Sequence, residues 1–141
     1  MADAGSPAGR ILSERFGRDR LIALATSRDN TPFVRTVNAW YEDGAFYVIT
    51  HARSGKMLQL AENPTCAIAG EWFTAQGVGQ SLGPFAAPEN APLARRLRAV
   101  FTEWIDNGHN DLASPQCVIL KIALTRAVLF SHGTRYDLDF A

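Results

Sequence analysis

Neither sign of charge is in surplus in this chain: fourteen Lys and Arg balance fourteen Asp and Glu over 141 residues. The broad positive field that draws nucleic acid or an anionic membrane is therefore missing, and both are excluded as main partners. Cysteine is scarce. Cys66 and Cys117 each sit in an apolar run, without CxxC spacing or a nearby histidine. That excludes a disulfide scaffold and a thiolate metal site, and leaves two buried, reduced thiols. Histidine is also scarce: His51, His109 and His132 lack ligand spacing and read as surface or loop residues, so no metal is expected. No P-loop, GxSxG or Ser-His-Asp order occurs. Gly77-Val78-Gly79 lacks the third glycine and the strand-to-helix setting of a dinucleotide fingerprint, and reads as a bulged or closely approached strand. No apolar run approaches the roughly 20 residues a bilayer requires. Met1 to Gly9 is small and polar, unlike a secretory signal. A soluble, cytoplasmic protein is the expectation. With no internal repeat and no linker, residues 1–141 read as one domain, frayed over 1–7.

What is present is a succession of short strands. Ala8 to Arg18 carries Ile11, Leu12, Arg15 and Phe16 at helical spacing. Leu21 to Ser27 and Phe33 to Tyr41 read as strands about the polar turn Arg28 to Pro32. Asp43-Gly44 predicts a tight hairpin into the strand Ala45 to Thr50. Ser54 to Glu62 is predicted as a short helix stopped by Asn63-Pro64. Thr65 to Phe73 and Thr74 to Leu82 read as strands. Glu89 to Asp106 reads as the longest helix, its stripe being Leu93, Leu97, Val100, Phe101 and Trp104. Gln116 to Leu124, Ala127 to Ser131 and Thr134 to Phe140 read as closing strands. Consecutive hairpins predict a mainly β fold, an antiparallel sheet or barrel with three helices.

The segment from Phe46 to Leu60 carries the most chemistry. A strand ends in Thr50-His51-Ala52-Arg53-Ser54-Gly55-Lys56 and turns into a helix. A hydroxyl, two cations and the free N–H groups of a helix start suit a phosphate. Ser54 alone would be an N-cap and Lys56 alone a surface residue. A cation in a first helical turn, however, opposes the helix dipole unless an anion sits there. Arg35 shares a strand face with Val37 and Ala39, while Val34, Thr36 and Asn38 point the other way. Arg35 is either a solvated edge position or, next to core positions, in need of an anionic partner, for which its planar fork fits phosphate.

The order Pro32-Phe33-Val34-Arg35-Thr36-Val37, Asp43 to Thr50, Lys56 to Leu60 and Glu62-Asn63-Pro64 resembles the pyridoxamine 5′-phosphate oxidase-like family. The run Gly77 to Gly83, with Glu89-Asn90 and a long helix, is similar to its general-stress-protein branch. The resemblance covers about residues 10 to 140. It implies a six-stranded antiparallel split β-barrel that forms a homodimer with FMN at the interface. It also implies that Arg35, Thr36, Val37 and Asn38 line the flavin, that Ile49 and Thr50 meet it from the next strand, and that Ser54 and Lys56 grip its phosphate. A glutamine that the family often supplies from the partner subunit falls at Thr74, with Gln76 two residues later. Phe130 stands where a tryptophan often lies near the flavin, with Arg135 downstream. The Arg-x-His pair of the vitamin-B6 oxidases is replaced by Thr134-Arg135-Tyr136. The implied function is flavin-dependent redox chemistry on an unidentified small molecule, with NAD(P)H a candidate electron donor. The flavin supplies the chemistry, so no protein acid or base need stand out. The alternatives are the deazaflavin F420 in the same fold, or a flavin- or haem-binding stress protein without turnover.

Overall fold

The computed structural model describes residues 5–108 and 111–140. Part of the segment expected to be frayed (1–4) lies outside them, as does His109. Ser6 and Pro7 already belong to the first helix, α1 (Pro7–Phe16), where the Ser6 hydroxyl accepts from the Gly9 N–H at 3.0 Å and proline occupies the first turn. Ser6→Ala should cost about 1 kcal/mol of stability, measured by urea denaturation.

Seven strands follow the expected order: β1 (Arg20–Arg28), β2 (Thr31–Glu42), β3 (Ala45–His51), β4 (Thr65–Gly70), β5 (Phe73–Pro84), β6 (Cys117–Ser131) and β7 (Thr134–Asp139). All pairs are antiparallel, in the order β3-β2-β1-β4-β5-β6-β7, and β3 also pairs with β6. That last pairing closes six strands into a barrel. β7 continues along β6 where β3 leaves off, β3 matching Cys117 to Ala123 and β7 matching Arg126 to Ser131.

The barrel is split between β2 and β3. β2 pairs with β1 from Thr31 to Ala39, but with β3 only at Trp40, Tyr41 and Glu42. Over most of its length β2 therefore turns an edge away from β1 that no neighbouring strand in the chain covers.

Alternation places Ile22, Leu24, Phe46, Val48, Ile68 and Phe73 inside. Two helices plug the ends. Phe16 of α1 packs on Phe46 and Phe73, with ring centroids 5.6 and 5.2 Å apart. Met57 and Leu60 of α2 (Gly55–Glu62) fill the other end. Two glycines make room. A Cβ at Gly79 would stand 2.9 Å from a Leu60 methyl, and one at Gly77 would stand 2.7 Å from the Ala123 carbonyl oxygen. Gly77 also borders a register shift in the β5–β6 pairing. Burial pushes the Cys66 thiol up to about 11, and both cysteines are free and buried.

Two expectations are corrected. The break predicted between Leu124 and Ala127 is a bulge inside one continuous β6: Thr125 is skipped in the register, its hydroxyl donating to the Gln76 carbonyl at 3.1 Å. The helix predicted over 89–106 begins with a 3₁₀ turn (Pro88–Asn90) and is α-helical only over α3 (Ala91–Val100). Beyond it, irregular turns still bury Phe101 and Ile105 in a second cluster with Trp40, Phe85, Leu97 and Ile119 on the outside of the barrel. The apolar stripe records that burial and cannot tell a helix from a series of turns. No helix among the described residues is long and apolar enough to cross a membrane.

Candidate functional site

β3 ends at the plugged mouth beside α2, and the split lies next to it. Thr50 shares the inward parity of Phe46 and Val48, but at the barrel end it meets polar groups instead of core. The Lys56 ammonium donates to the Thr50 hydroxyl at 2.9 Å, and the Thr50 and Ser54 hydroxyls lie 3.3 Å apart. Ser54 occupies the N-cap of α2 without capping it through its side chain, and the first turn holds no acidic residue. The start of α2 therefore has no side-chain cap, and Lys56 stands in that same first turn.

Arg35 also has inward parity, and its guanidinium reaches across β1. Its Nη1 donates to the Leu24 carbonyl at 3.2 Å and to Thr26 Oγ1 at 2.8 Å, and its Nη2 donates to Gln59 Oε1 at 2.8 Å. No carboxylate among the described residues forms an ion pair with Arg35 or Lys56; the five pairs observed there use other residues. Both groups titrate below their usual range. Burial is the cause for Arg35; for Lys56 burial comes first and the nearby Arg35 charge second. Two partly buried cations repel each other over an uncapped helix start, an arrangement that a bound anion would relieve.

The sign of the pH dependence follows. A lowered Lys56 pKa means that the folded chain releases this proton before the unfolded chain does. Between the lowered value and the ordinary 10.5, the unfolded state binds more protons, so stability free of ligand should rise with pH through that window. Anion affinity should fall there, because the neutral amine no longer attracts the anion. Titrating a phosphate-bearing ligand against pH should show weakening that begins below pH 10.5 and is absent in Lys56→Met.

The remaining sequence-predicted residues divide by strand face. Val37 is buried in the core and offers only its main chain, whereas Thr36 is exposed. The Asn38 side-chain amide donates to Asp19 at 3.0 Å, and the other Asp19 oxygen accepts from Trp104 Nε1 at 2.9 Å. Ile49 faces outward, against the cluster under α3. Arg53 is exposed on the turn before α2. Thr74 and Gln76 lie on the outside of β5. The registers place Thr36, Ala23, Ala69 and Thr74 in one transverse row and Val34, Ala25, Ala67 and Gln76 in the next. Three strand spacings of roughly 4.8 Å separate β2 from β5, so Thr74 and Gln76 are not brought to the Arg35–Lys56 group within one chain. Phe130 lies on the same outer face, 41% exposed, beneath the Arg35-independent guanidinium of Arg135 at 5.9 Å.

An open cleft of about 730 Å³ is also on that outer face, its floor including Ala23, Ala25, Ala67 and Ala69, with Val34 toward one edge and Arg126 toward the other. On β1 and β4 this sheet face carries only alanines over the two rows. Sequence reading missed Thr26 and Gln59, which hold Arg35. Their available signal was a polar side chain at an inward strand position and a glutamine on the apolar side of α2. No group of three or more His, Cys, Asp or Glu side chains among the described residues is placed to hold a metal ion.

No family model matches the sequence, and no curated protein matches it. Solved structures do. General Stress Protein 26 from Bacillus anthracis superposes with a TM-score of 0.68 at 16% identity, over 92% of this chain and 97% of that one. A protein from Listeria innocua assigned as a pyridoxamine 5′-phosphate oxidase gives 0.62 at 15%, over 86% and 95%. The fold is the split β-barrel of the pyridoxamine 5′-phosphate oxidase-like proteins. An F420 reductase also shares this split barrel, with a TM-score of 0.63 at 19% identity over 82% of this chain and 94% of that one.

Proposed function

We propose that this split barrel binds FMN and uses it for redox chemistry on a small molecule, as a homodimer with the cofactor at the interface. The observation that carries the reading is the pair of cations, Arg35 and Lys56, left without a carboxylate beside the uncapped start of α2 and the open edge of β2. The FMN phosphate sits between Arg35, Lys56 and Ser54. The ring system lies along Thr36 to Asn38, where β2 offers main-chain groups and the Asp19-bound Asn38 keeps its carbonyl oxygen free of that contact.

Bound there, the flavin supplies the hydride and electron chemistry. The chain's own residues bind and orient. Arg35 and Lys56 neutralise the phosphate, Ser54 and the α2 N–H groups fix its oxygens, and β2 sets the height of the ring. The second subunit covers the alanine floor, which a monomer leaves open together with Leu21 (64% exposed) and Val34 (71% exposed). Thr74, Gln76 and Phe130, too far from the cradle in one chain, would then reach the flavin held by the other. Rim residues Arg126, Asp137 and Asp139 carry both signs of charge, as a self-complementary face requires.

The decisive experiment is the absorbance spectrum of the purified protein with mass spectrometry of what boiling releases. FMN is expected; a colourless protein that takes up no added flavin overturns the reading. The likeness to an F420 reductase favours one second reading, the deazaflavin F420 in the same cradle, and the same spectrum separates the two. Anaerobic mixing with NADH or NADPH tests the redox role, since bleaching of the flavin band reports reduction.

A further inference from the structure

Arg35 is held by three acceptors, all uncharged: the Leu24 carbonyl, the Thr26 hydroxyl and the Gln59 amide oxygen. Thr26 (3% exposed) in turn donates to Gln59 Oε1 (residue 8% exposed) at 2.6 Å. Two oxygens that close together, one 2.8 Å from Nη1 and the other 2.8 Å from Nη2, take the guanidinium end-on. The second Nη1 hydrogen goes to Leu24. A guanidinium has five N–H groups. The two left over, Nε–H and one on Nη2, lie side by side along a single edge, spaced for two oxygens of one phosphate.

We infer that Thr26 and Gln59 are positioning residues that aim this edge of Arg35 at a terminal phosphate monoester, and that the neutrality of Gln59 is what leaves the guanidinium charge free for it. The inference rests on the phosphate reading above, and it adds a ligand class. Two parallel donors and the Lys56 ammonium suit a dianionic monoester better than a singly charged diester. A glutamate at position 59 would hold Arg35 more firmly, by an ion pair, and would cancel the attraction. The amide gives the same geometry without that competition. It also ties the grip to the packing of α2, because Gln59 sits one turn after Lys56 on the same helix.

Gln59→Glu is close to isosteric and separates aim from charge. Dissociation constants are measured for FMN, for riboflavin, which lacks the phosphate, and for inorganic phosphate, alongside the thermal midpoint. The expected result is an unchanged or raised midpoint, FMN and phosphate binding weakened about thirtyfold or more at neutral pH, and riboflavin binding unchanged, since hydrogen bonds between charged groups carry that much. Measured against wild type at the same pH, the loss of FMN affinity is expected to shrink as pH falls and the new carboxyl protonates; a merely structural glutamine would not produce that. Should Gln59→Glu fail to fold, Thr26→Val removes one acceptor of similar shape, and an FMN-specific loss of about fivefold is expected. FMN binding within a factor of about three of wild type in Gln59→Glu, or equal weakening of FMN and riboflavin, overturns the inference. So does a wild-type protein that binds neither FMN nor phosphate. A wild type that binds phosphate but no flavin overturns the flavin reading alone, and the Gln59→Glu comparison then proceeds on phosphate.

Discussion

Replacing Arg35 and Lys56 together by alanine should raise the FMN dissociation constant by about a hundredfold to ten-thousandfold, while riboflavin binds nearly as before. Each residue offers charge-assisted hydrogen bonds to a phosphate, worth about 1.5–3 kcal/mol apiece, and every 1.4 kcal/mol is about tenfold. The two losses should not simply add, because the cations already repel: Arg35 contributes to the lowered Lys56 pKa. Removing either one relaxes the other, so the two single variants are expected to lose less in total than the double variant. Fluorescence titration of both flavins against all three proteins measures this. The unliganded double variant is also expected to be no less stable than the parent by more than about 1 kcal/mol. It loses three Arg35 hydrogen bonds and the Lys56–Thr50 hydrogen bond, all to neutral acceptors, but also a repulsion between partly buried charges. Unchanged FMN affinity in the double variant would sink the phosphate assignment.

If the proposed dimer forms on the alanine floor, Ala69→Arg should make the protein monomeric and remove most of the flavin it binds. Ala69 is exposed on the outer face, in the row Thr36, Ala23, Ala69, Thr74, and lines the open cleft. A free subunit accommodates an arginine there at little cost, since the side chain stands in water. In a twofold interface each subunit would bring a guanidinium into the alanine floor, away from the rim carboxylates Asp137 and Asp139, and its bulk would hold the two faces apart. Burying an unpaired charge costs about 3–5 kcal/mol, and a symmetric contact suffers it twice. Light scattering across a dilution series reads the mass, and the flavin-to-protein absorbance ratio reads the cofactor. A dimeric Ala69→Arg with full flavin content would place the interface elsewhere.

The two outcomes separate two halves of the site. The proposed phosphate cradle draws on one chain: Arg35, Thr50, Ser54 and Lys56 come from β2, β3 and the start of α2, with Thr26 and Gln59 bound to Arg35. Thr74, Gln76 and Phe130 are on the outer face of the sheet, and in the proposed dimer they would meet a flavin held by the other subunit. The cradle variants should therefore act on FMN and not on the dimer, while Ala69→Arg should act on both.

Much of the barrel was legible in local pattern. The apolar run Leu21 to Ser27, Asp43-Gly44 between two apolar runs, and Asn63-Pro64 after a short amphipathic stretch each predict an element within a residue or two of where it lies. The strand break and the long helix were misplaced for reasons that are physical. Thr125 and Arg126 are polar because a bulge on β6 exposes them. The stripe through Trp104 continues because Phe101 and Ile105 stay buried after the helix has ended. Arg35 and Lys56 stood out because each is out of place in its local setting, a cation among core positions and a cation at the positive end of a helix; Ser54, an ordinary N-cap residue by itself, stood out only beside them.

The sequence by itself determined the strands, the hairpins and the identity of the unmatched cations, because those depend on interactions a few residues apart. Only the tertiary structure decided that β3 returns to β6 and closes the barrel, that β2 is left with an open edge, and that Gln59 stands 24 positions from Arg35 in the chain yet 2.8 Å from its guanidinium. Contacts of that separation leave no periodic trace. They are set by how the elements pack, and the aim of Arg35, on which the site depends, is one of them.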